Sequence, residues 1–187
     1  MKRLFLIGYM GAGKTTFGNL LAKMDGLEFI DLDLFIESRY NKTIGKLFEE
    51  KGEAAFREIE SAALREVSEF ENVVVSTGGG TPCFFDNMAL MNEKGTTIYL
   101  KVLPEILAVR LNKYKDKRPL IRDKNEAELL SFISDTLSNR EQFYNRSVII
   151  FDTKEVESQE ETEQLLIDLQ SEIDVIYKNS ERNITES

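Results

Sequence analysis

The chain has 187 residues, one cysteine, no histidine and a formal net charge of −9, a size that suits one domain burying its own core. A lone Cys83 excludes an intrachain disulfide, and the missing histidine excludes Ser-His-Asp hydrolysis, phosphohistidine chemistry and the usual catalytic zinc sites. The acidity argues against a nucleic-acid partner, yet it is confined to residues 152–187, with eleven acids and three bases; residues 1–151 carry 22 against 21.

Arg3 to Ile7 reads as a first strand, followed by a Gly-rich turn and a helix from about Lys14 to Met24. Asp25-Gly26 is a turn, and Glu28 to Ile30 a short second strand. A long helical insertion over about residues 32–70 follows, split at Gly52, with Phe56, Ile59, Ala63 and Val67 at helical spacing on one face. Val73 to Val75, Thr97 to Leu100 and Val148 to Phe151 supply three more strands, whose Val and Ile content suits burial on both faces. A basic stretch at about residues 112–124 precedes a helix from about Glu126. Ser158 to Glu161 matches a capping box that opens a last helix through Leu165, Leu166 and Leu169. Alternation of strands and helices predicts an α/β domain with a parallel sheet and crossover helices over residues 1–178. Residues 179–187 read as a polar, frayed tail.

Residues Met1 to Ile7 lack the long apolar core and cleavage site of a leader, and no apolar run is long enough to span a membrane. A cytoplasmic protein is expected. No apolar surface helix is left unexplained, which favours a monomer.

Chemistry concentrates in four places. Gly8-Tyr9-Met10-Gly11-Ala12-Gly13-Lys14-Thr15 matches G-x-x-x-x-G-K-[ST] in full, between a buried strand and a helix. Backbone N–H groups of such a loop turn inward around phosphates, Lys14 reaches the β- and γ-phosphates, and the Thr15 hydroxyl is placed for Mg²⁺. Asp31-Leu32-Asp33 ends the second strand and sets two carboxylates near the ligand-binding edge of a parallel sheet. One can hold the water shell of Mg²⁺, and the other can accept a proton from a hydroxyl. Alone, the pair reads rather as an N-cap plus a surface acid. In Phe48-x-x-x-Gly52-Glu53-x-x-Phe56-Arg57-x-x-Glu60, the last two charged residues are helical neighbours, so Glu60 can orient a guanidinium suited to a carboxylate. Ser76-Thr77-Gly78-Gly79-Gly80 follows the third strand, and its glycines let backbone approach a small ligand.

This ordered set resembles the shikimate kinase family from about Gly8 to Asp152. The resemblance implies a P-loop fold of the nucleoside-monophosphate-kinase type, with a five-stranded parallel sheet, and MgATP-dependent phosphorylation of the 3-hydroxyl of shikimate. Carried over by motif, Gly11, Ala12, Gly13, Lys14, Thr15 and Thr16 bind ATP. Asp33, Arg57, Gly78, Gly79 and Gly80 form the shikimate site, with Phe48, Phe56 and Glu60 lining or bracing it. Thr15 ligates Mg²⁺ and Asp31 does so through water. Lys113 to Lys124 holds six basic and two acidic residues, and Arg118-Pro119-Leu120 within it resembles the family's lid motif. Arg118 would then close on the transferring phosphates, Arg110 would stack on adenine and Arg140 would share the shikimate carboxylate with Arg57. Lys14, Asp33 and Arg118 are the expected catalytic residues.

Two rivals fit less well. A kinase for another hydroxy acid, such as gluconate, has no reason to keep Asp33, Arg57 and three glycines together. A GTP switch would need Asn-Lys-x-Asp, and Asn41-Lys42 is followed by Thr43-Ile44.

Overall fold

The computed structural model describes residues 2–113, 115, 121–153 and 159–185, with backbone alone for 159 and 179–185. Its centre is a five-stranded sheet of β1 (Arg3–Ile7), β2 (Glu28–Asp31), β3 (Val73–Ser76), β4 (Thr96–Lys101) and β5 (Ile149–Asp152). The order is β2-β3-β1-β4-β5, and every neighbouring pair is parallel. The strands expected from Val-rich and Ile-rich runs are all present, within a residue of their expected ends.

Burial divides the sheet by position. β1 and β3 are buried at every residue and β4 at all but its last, whereas β5 alternates buried and exposed. Inner parallel strands are covered on both faces and so tolerate unbroken apolar runs; an edge strand need not be. Arg3 ties the start of β1 to its surroundings, donating from Nε to the Phe70 carbonyl at 2.7 Å and from Nη1 to the Lys94 carbonyl at 2.5 Å.

Seven helices flank this sheet among the described residues: α1 (Lys14–Asp25), α2 (Leu32–Tyr40), α3 (Ile44–Val67), α4 (Asn87–Lys94), α5 (Pro104–Asn112), α6 (Glu126–Tyr144) and α7 (Gln159–Thr185). The expected insertion resolves into α2 and α3. Gly52 (φ 77°, ψ 169°) breaks α3 into two helical halves, as its position predicted. Phe56, Ala63 and Val67 of the second half are buried. α6 opens with a capping box of Asn125 and Glu128, each side chain accepting from the other's backbone N–H at 2.9 Å.

α5 was not anticipated, although Pro104 at its first turn is a helix-start signal. The capping residue Ser158 expected for α7 lies outside the described residues. The backbone of α7 stays helical through Thr185, so residues 179–185 continue the last helix where a frayed tail was expected. Leu166, Leu169 and Ile173 bury its inner face, and the helix packs on β5 and α1. No helix among the described residues is long and apolar enough to cross a membrane.

Candidate active site

The carboxyl ends of β1, β2 and β3 open into a cleft of about 560 Å³. Its position follows from topology: connections leave β1 and its neighbours in different directions, so a crevice forms where strand order reverses. Between β1 and α1 the loop takes positive φ at Gly8 (140°), Gly11 (80°) and Gly13 (96°), conformations that side-chain-bearing residues rarely adopt. Gly13 is the N-cap of α1 and offers no capping side chain, so the first-turn N–H groups of α1 are left for an anion. Lys14 Nζ donates to the carbonyls of Gly8 (2.8 Å) and Tyr9 (3.0 Å). Thr15 Oγ1 donates to Asp31 Oδ2 at 3.3 Å and joins the loop to the end of β2. Thr16 and Arg110 also line the cleft, and Arg110 Nη1 donates to the Gly11 carbonyl at 3.3 Å. Ala12 turns its methyl into the core; only its backbone can serve a ligand.

Asp31 and Asp33 do different work. Asp31 is the N-cap of α2, its Oδ1 accepting from the N–H groups of Asp33 (3.1 Å) and Leu34 (3.3 Å). Asp33 is not the surface acid that the sequence left open. Burial, and then the charges of Asp31 and Glu60, push its carboxyl up to about 6 against the pull of Lys14.

Behind the loop of residues 78–80, the second half of α3 presents Arg57. Its Nη1 donates to Glu60 Oε2 (2.9 Å) and its Nη2 to Glu53 Oε1 (3.2 Å). The rings of Phe84, Phe56 and Phe48 lie 4.2, 5.4 and 5.5 Å from its Cζ. Arg57 Nε is buried and has no partner among the described residues. Glu60, 1% exposed, spends its other oxygen on the Thr81 hydroxyl at 2.6 Å. The chain of contacts continues through Asn87, whose Nδ2 donates to the Thr81 carbonyl (2.9 Å) while its Oδ1 accepts from Ser61 (2.7 Å). A buried charge pair is easier to hold when both oxygens of its carboxylate are bonded, as those of Glu60 are.

The three glycines have a reason that the sequence did not reveal. None of them has a positive φ; each is small because a site side chain occupies the space. A Cβ on Gly78 would lie 3.0 Å from Glu60 Oε1 and 3.1 Å from Asp33 Oδ1. On Gly79 it would meet Arg140 Nη1 at 3.2 Å, and on Gly80 Arg57 Nη1 at 2.7 Å. The loop is therefore the surface on which the acceptor-side charges converge. Gly78 and Gly79 line the cleft; Arg57, Gly80 and Arg140 do not, and join it through this loop.

Arg140 stands one turn before the end of α6, with its guanidinium 5.7 Å from the Tyr9 ring centroid. Tyr144 closes α6, buried, and donates its hydroxyl to the Gly79 carbonyl. Sequence reasoning missed Tyr144 and Phe84, and also Thr162 of α7, which lines the cleft. Nothing local marks them. Arg118 and most of the expected lid lie outside the described residues. Burial pushes the Cys83 thiol up to about 11, which makes it a packing group rather than a nucleophile.

The family model described as SKI, shikimate kinase, matches residues 10–170. A shikimate kinase from Parabacteroides distasonis is 56% identical over 156 residues, covering 83% of this chain and 90% of the relative. The 1.7 Å crystal structure of shikimate kinase from Bacteroides thetaiotaomicron superposes with a TM-score of 0.89 at 48% identity, covering 92% of this chain and 98% of that one. Shikimate kinase from Acinetobacter baumannii, solved in complex with shikimate, superposes at 0.79 with 32% identity, covering 96% and 94%. With a P-loop, an all-parallel five-stranded sheet and these matches across most of its length, the chain belongs to the shikimate kinase family.

Proposed function

We propose that this chain transfers the γ-phosphoryl group of ATP to the 3-hydroxyl of shikimate, giving shikimate 3-phosphate and ADP on the route to chorismate and aromatic amino acids. The observation that carries this reading is the pairing of a phosphate-binding loop in the cleft with a buried guanidinium that the loop of residues 78–80 joins to it and whose Nε has no partner among the described residues.

Backbone N–H groups of Gly11, Ala12, Gly13, Lys14, Thr15 and Thr16 cradle the ATP phosphates, and the Lys14 ammonium balances their charge. Arg110, beside Gly11, serves the adenine end. Arg118 completes the phosphate site when the lid closes. An all-oxygen pair, the Thr15 hydroxyl and the Asp31 carboxylate 3.3 Å apart, fits a hard cation that keeps most of its waters. Thr15 would hold Mg²⁺ directly and Asp31 through water; the ion, when bound, offsets charge on the β- and γ-phosphates.

On the acceptor side, Arg57 and Arg140 hold the substrate carboxylate, and Gly78, Gly79 and Gly80 let both arginines approach. Asp33 accepts the hydrogen bond of the 3-hydroxyl and takes its proton. With a carboxyl near 6 it is ionised at neutral pH yet more basic than an ordinary aspartate. Catalysis is then positioning plus charge stabilisation, which a loose phosphoryl-transfer transition state requires.

The enzyme acts as a cytoplasmic monomer, without nucleic-acid or membrane partners. A coupled ADP-release assay against shikimate, quinate and gluconate tests the reading. Turnover with shikimate far above the other two is expected, and no signal with shikimate would sink the claim.

A further inference from the structure

We infer that Phe84 is a positioning and specificity-determining residue for the acceptor carboxylate, acting through Arg57. The inference rests on the proposed role of Arg57 and deepens it. Phe84 belongs to no phosphate-binding or acceptor motif in the sequence, yet its ring is the closest of the three around the guanidinium, 4.2 Å against 5.4 and 5.5 Å. An aromatic face at that distance attracts a cation, and does so more strongly where water is excluded.

The local backbone is arranged to aim this ring. The chain leaves a single 3₁₀ turn (Thr81–Cys83) at Phe84 in extended geometry (φ −117°, ψ 147°), then bends at Phe85 with φ +50°. A bulky residue in the left-handed region is uncommon, and Phe85 is 64% exposed, so burial of its own side chain does not account for the bend. Contacts on either side of the elbow hold it instead. Cys83 N–H donates to the Gly80 carbonyl at 2.9 Å, and Asn87 N–H to the Phe84 carbonyl at 3.3 Å. The buried Asn87 side chain fixes Thr81 from the other direction. The elbow thus delivers Phe84 to Arg57 at the cost of an exposed neighbour in an unfavourable conformation.

The consequence is geometric. A guanidinium pairs with a carboxylate through its edge, and an aromatic ring takes up its face. Glu60 engages Nη1 of Arg57 and Glu53 engages Nη2, which leaves the Nε edge, buried and without a partner among the described residues. Phe84 keeps the guanidinium from tilting off that edge. It also walls the edge from water, which strengthens pairing with a carboxylate over a neutral group.

The test uses the whole enzyme. Phe84→Leu keeps apolar bulk and removes the ring; its KM for shikimate should rise roughly tenfold, with kcat and the KM for ATP within about twofold. Phe84→Tyr should restore the wild-type KM. A Phe84→Leu variant with unchanged shikimate KM, or with both KM values raised alike, overturns the inference, as does failure of Phe84→Tyr to restore. The chain contains no tryptophan, so Phe84→Trp adds a unique fluorophore and keeps the test alive if Phe84→Leu does not fold. Its emission should shift on adding shikimate, saturate near the KM, and stay unmoved by a non-hydrolysable ATP analogue alone; no response to shikimate overturns the inference. Arg57→Lys in the same assay separates the two claims. If it leaves shikimate KM unchanged, the Arg57 reading fails and this one with it; if it raises KM while Phe84→Leu does not, only Phe84 is wrongly assigned.

Discussion

The two halves of the proposed site are built on opposite principles. The nucleotide half is one continuous loop made mainly of backbone: three glycines at positive φ, an uncapped helix end, and Thr15 and Thr16 exposed beside it. The acceptor half is made of side chains, Arg57, Glu60, Thr81, Asn87 and Ser61, all buried and bonded to one another. A phosphate chain is large, flexible and bound by many equivalent N–H groups, so a short loop suffices. A small hydroxy acid offers few handles, and discriminating among such acids needs charged groups held at fixed positions. Rigidity there comes from the hydrogen bonds that these side chains make to one another; of the five, Arg57 Nε is the one buried side-chain atom without a partner among the described residues.

The largest expected effect breaks the nucleotide half alone. Lys14→Ala removes the only side-chain cation of the P-loop and should cut turnover by roughly a hundred- to a thousandfold, the size seen when one preorganised charge contact is lost. Shikimate affinity, measured by titration in the absence of nucleotide, should stay within about twofold. A matching collapse of shikimate binding would show that the halves are not separate.

Asp33→Asn probes the acceptor half through pH. Burial raises the Asp33 carboxyl from its ordinary 3.8 to about 6, so the folded state holds this proton more tightly than the unfolded chain. Its contribution to stability is therefore complete below about pH 4 and is lost as pH rises through 6. The variant, which has nothing to ionise, should be more stable than wild type at pH 8, by up to about 3 kcal/mol from the size of the shift. That advantage should vanish by pH 4, as read from denaturant midpoints across the range. In activity the sign reverses: kcat/KM for shikimate should fall below pH 6 as Asp33 protonates, and Asp33→Asn should be slow with no such limb.

Arg57→Lys sharpens the same comparison. The ammonium keeps the charge but loses the planar fork, and a charge-assisted hydrogen bond is worth about 1.5–3 kcal/mol, so shikimate KM should rise roughly ten- to hundredfold. MgATP affinity by isothermal titration should not move. Equal weakening of both ligands would dissolve the two-site division.

This contrast also explains what the sequence disclosed. The nucleotide half is contiguous from Gly8 to Thr16, so its pattern survives in one dimension. Arg57 and Glu60 were legible because a helix makes i and i+3 neighbours. The sheet was legible because inner strands announce themselves as apolar runs, β3 above all. Phe84 and Tyr144 were not legible: each joins the site only through a tertiary contact, Phe84 with Arg57 of α3 and Tyr144 with the Gly79 carbonyl. The triple glycine was read as room for a ligand, and part of that room is already taken by Asp33, Glu60, Arg57 and Arg140. Polar composition after Lys178 suggested fraying, but polarity does not stop a helix that contains no proline or glycine.

The smallest expected effect concerns α7, which bears on the cleft through Thr162 near its start. Further along, Leu166, Leu169 and Ile173 are buried, and Tyr177 is the last residue seen tying the helix to β1, its hydroxyl accepting from Arg3 N–H at 3.3 Å. Cutting the chain after Lys178 keeps all of these and removes a stretch that is polar but for Ile184 and carries no periodic apolar face. Changes that touch no packed apolar side chain are usually within about 0.5 kcal/mol, so thermal midpoint and turnover should both match the full chain. A cut after Glu163 is the control. It deletes three core side chains, each worth about 2–5 kcal/mol, against a typical total stability of about 5–15, and should not yield a folded protein. If the cut after Lys178 instead weakens ATP use while shikimate binding holds, the end of α7 is part of the nucleotide half, and that half is not the purely local construction described above.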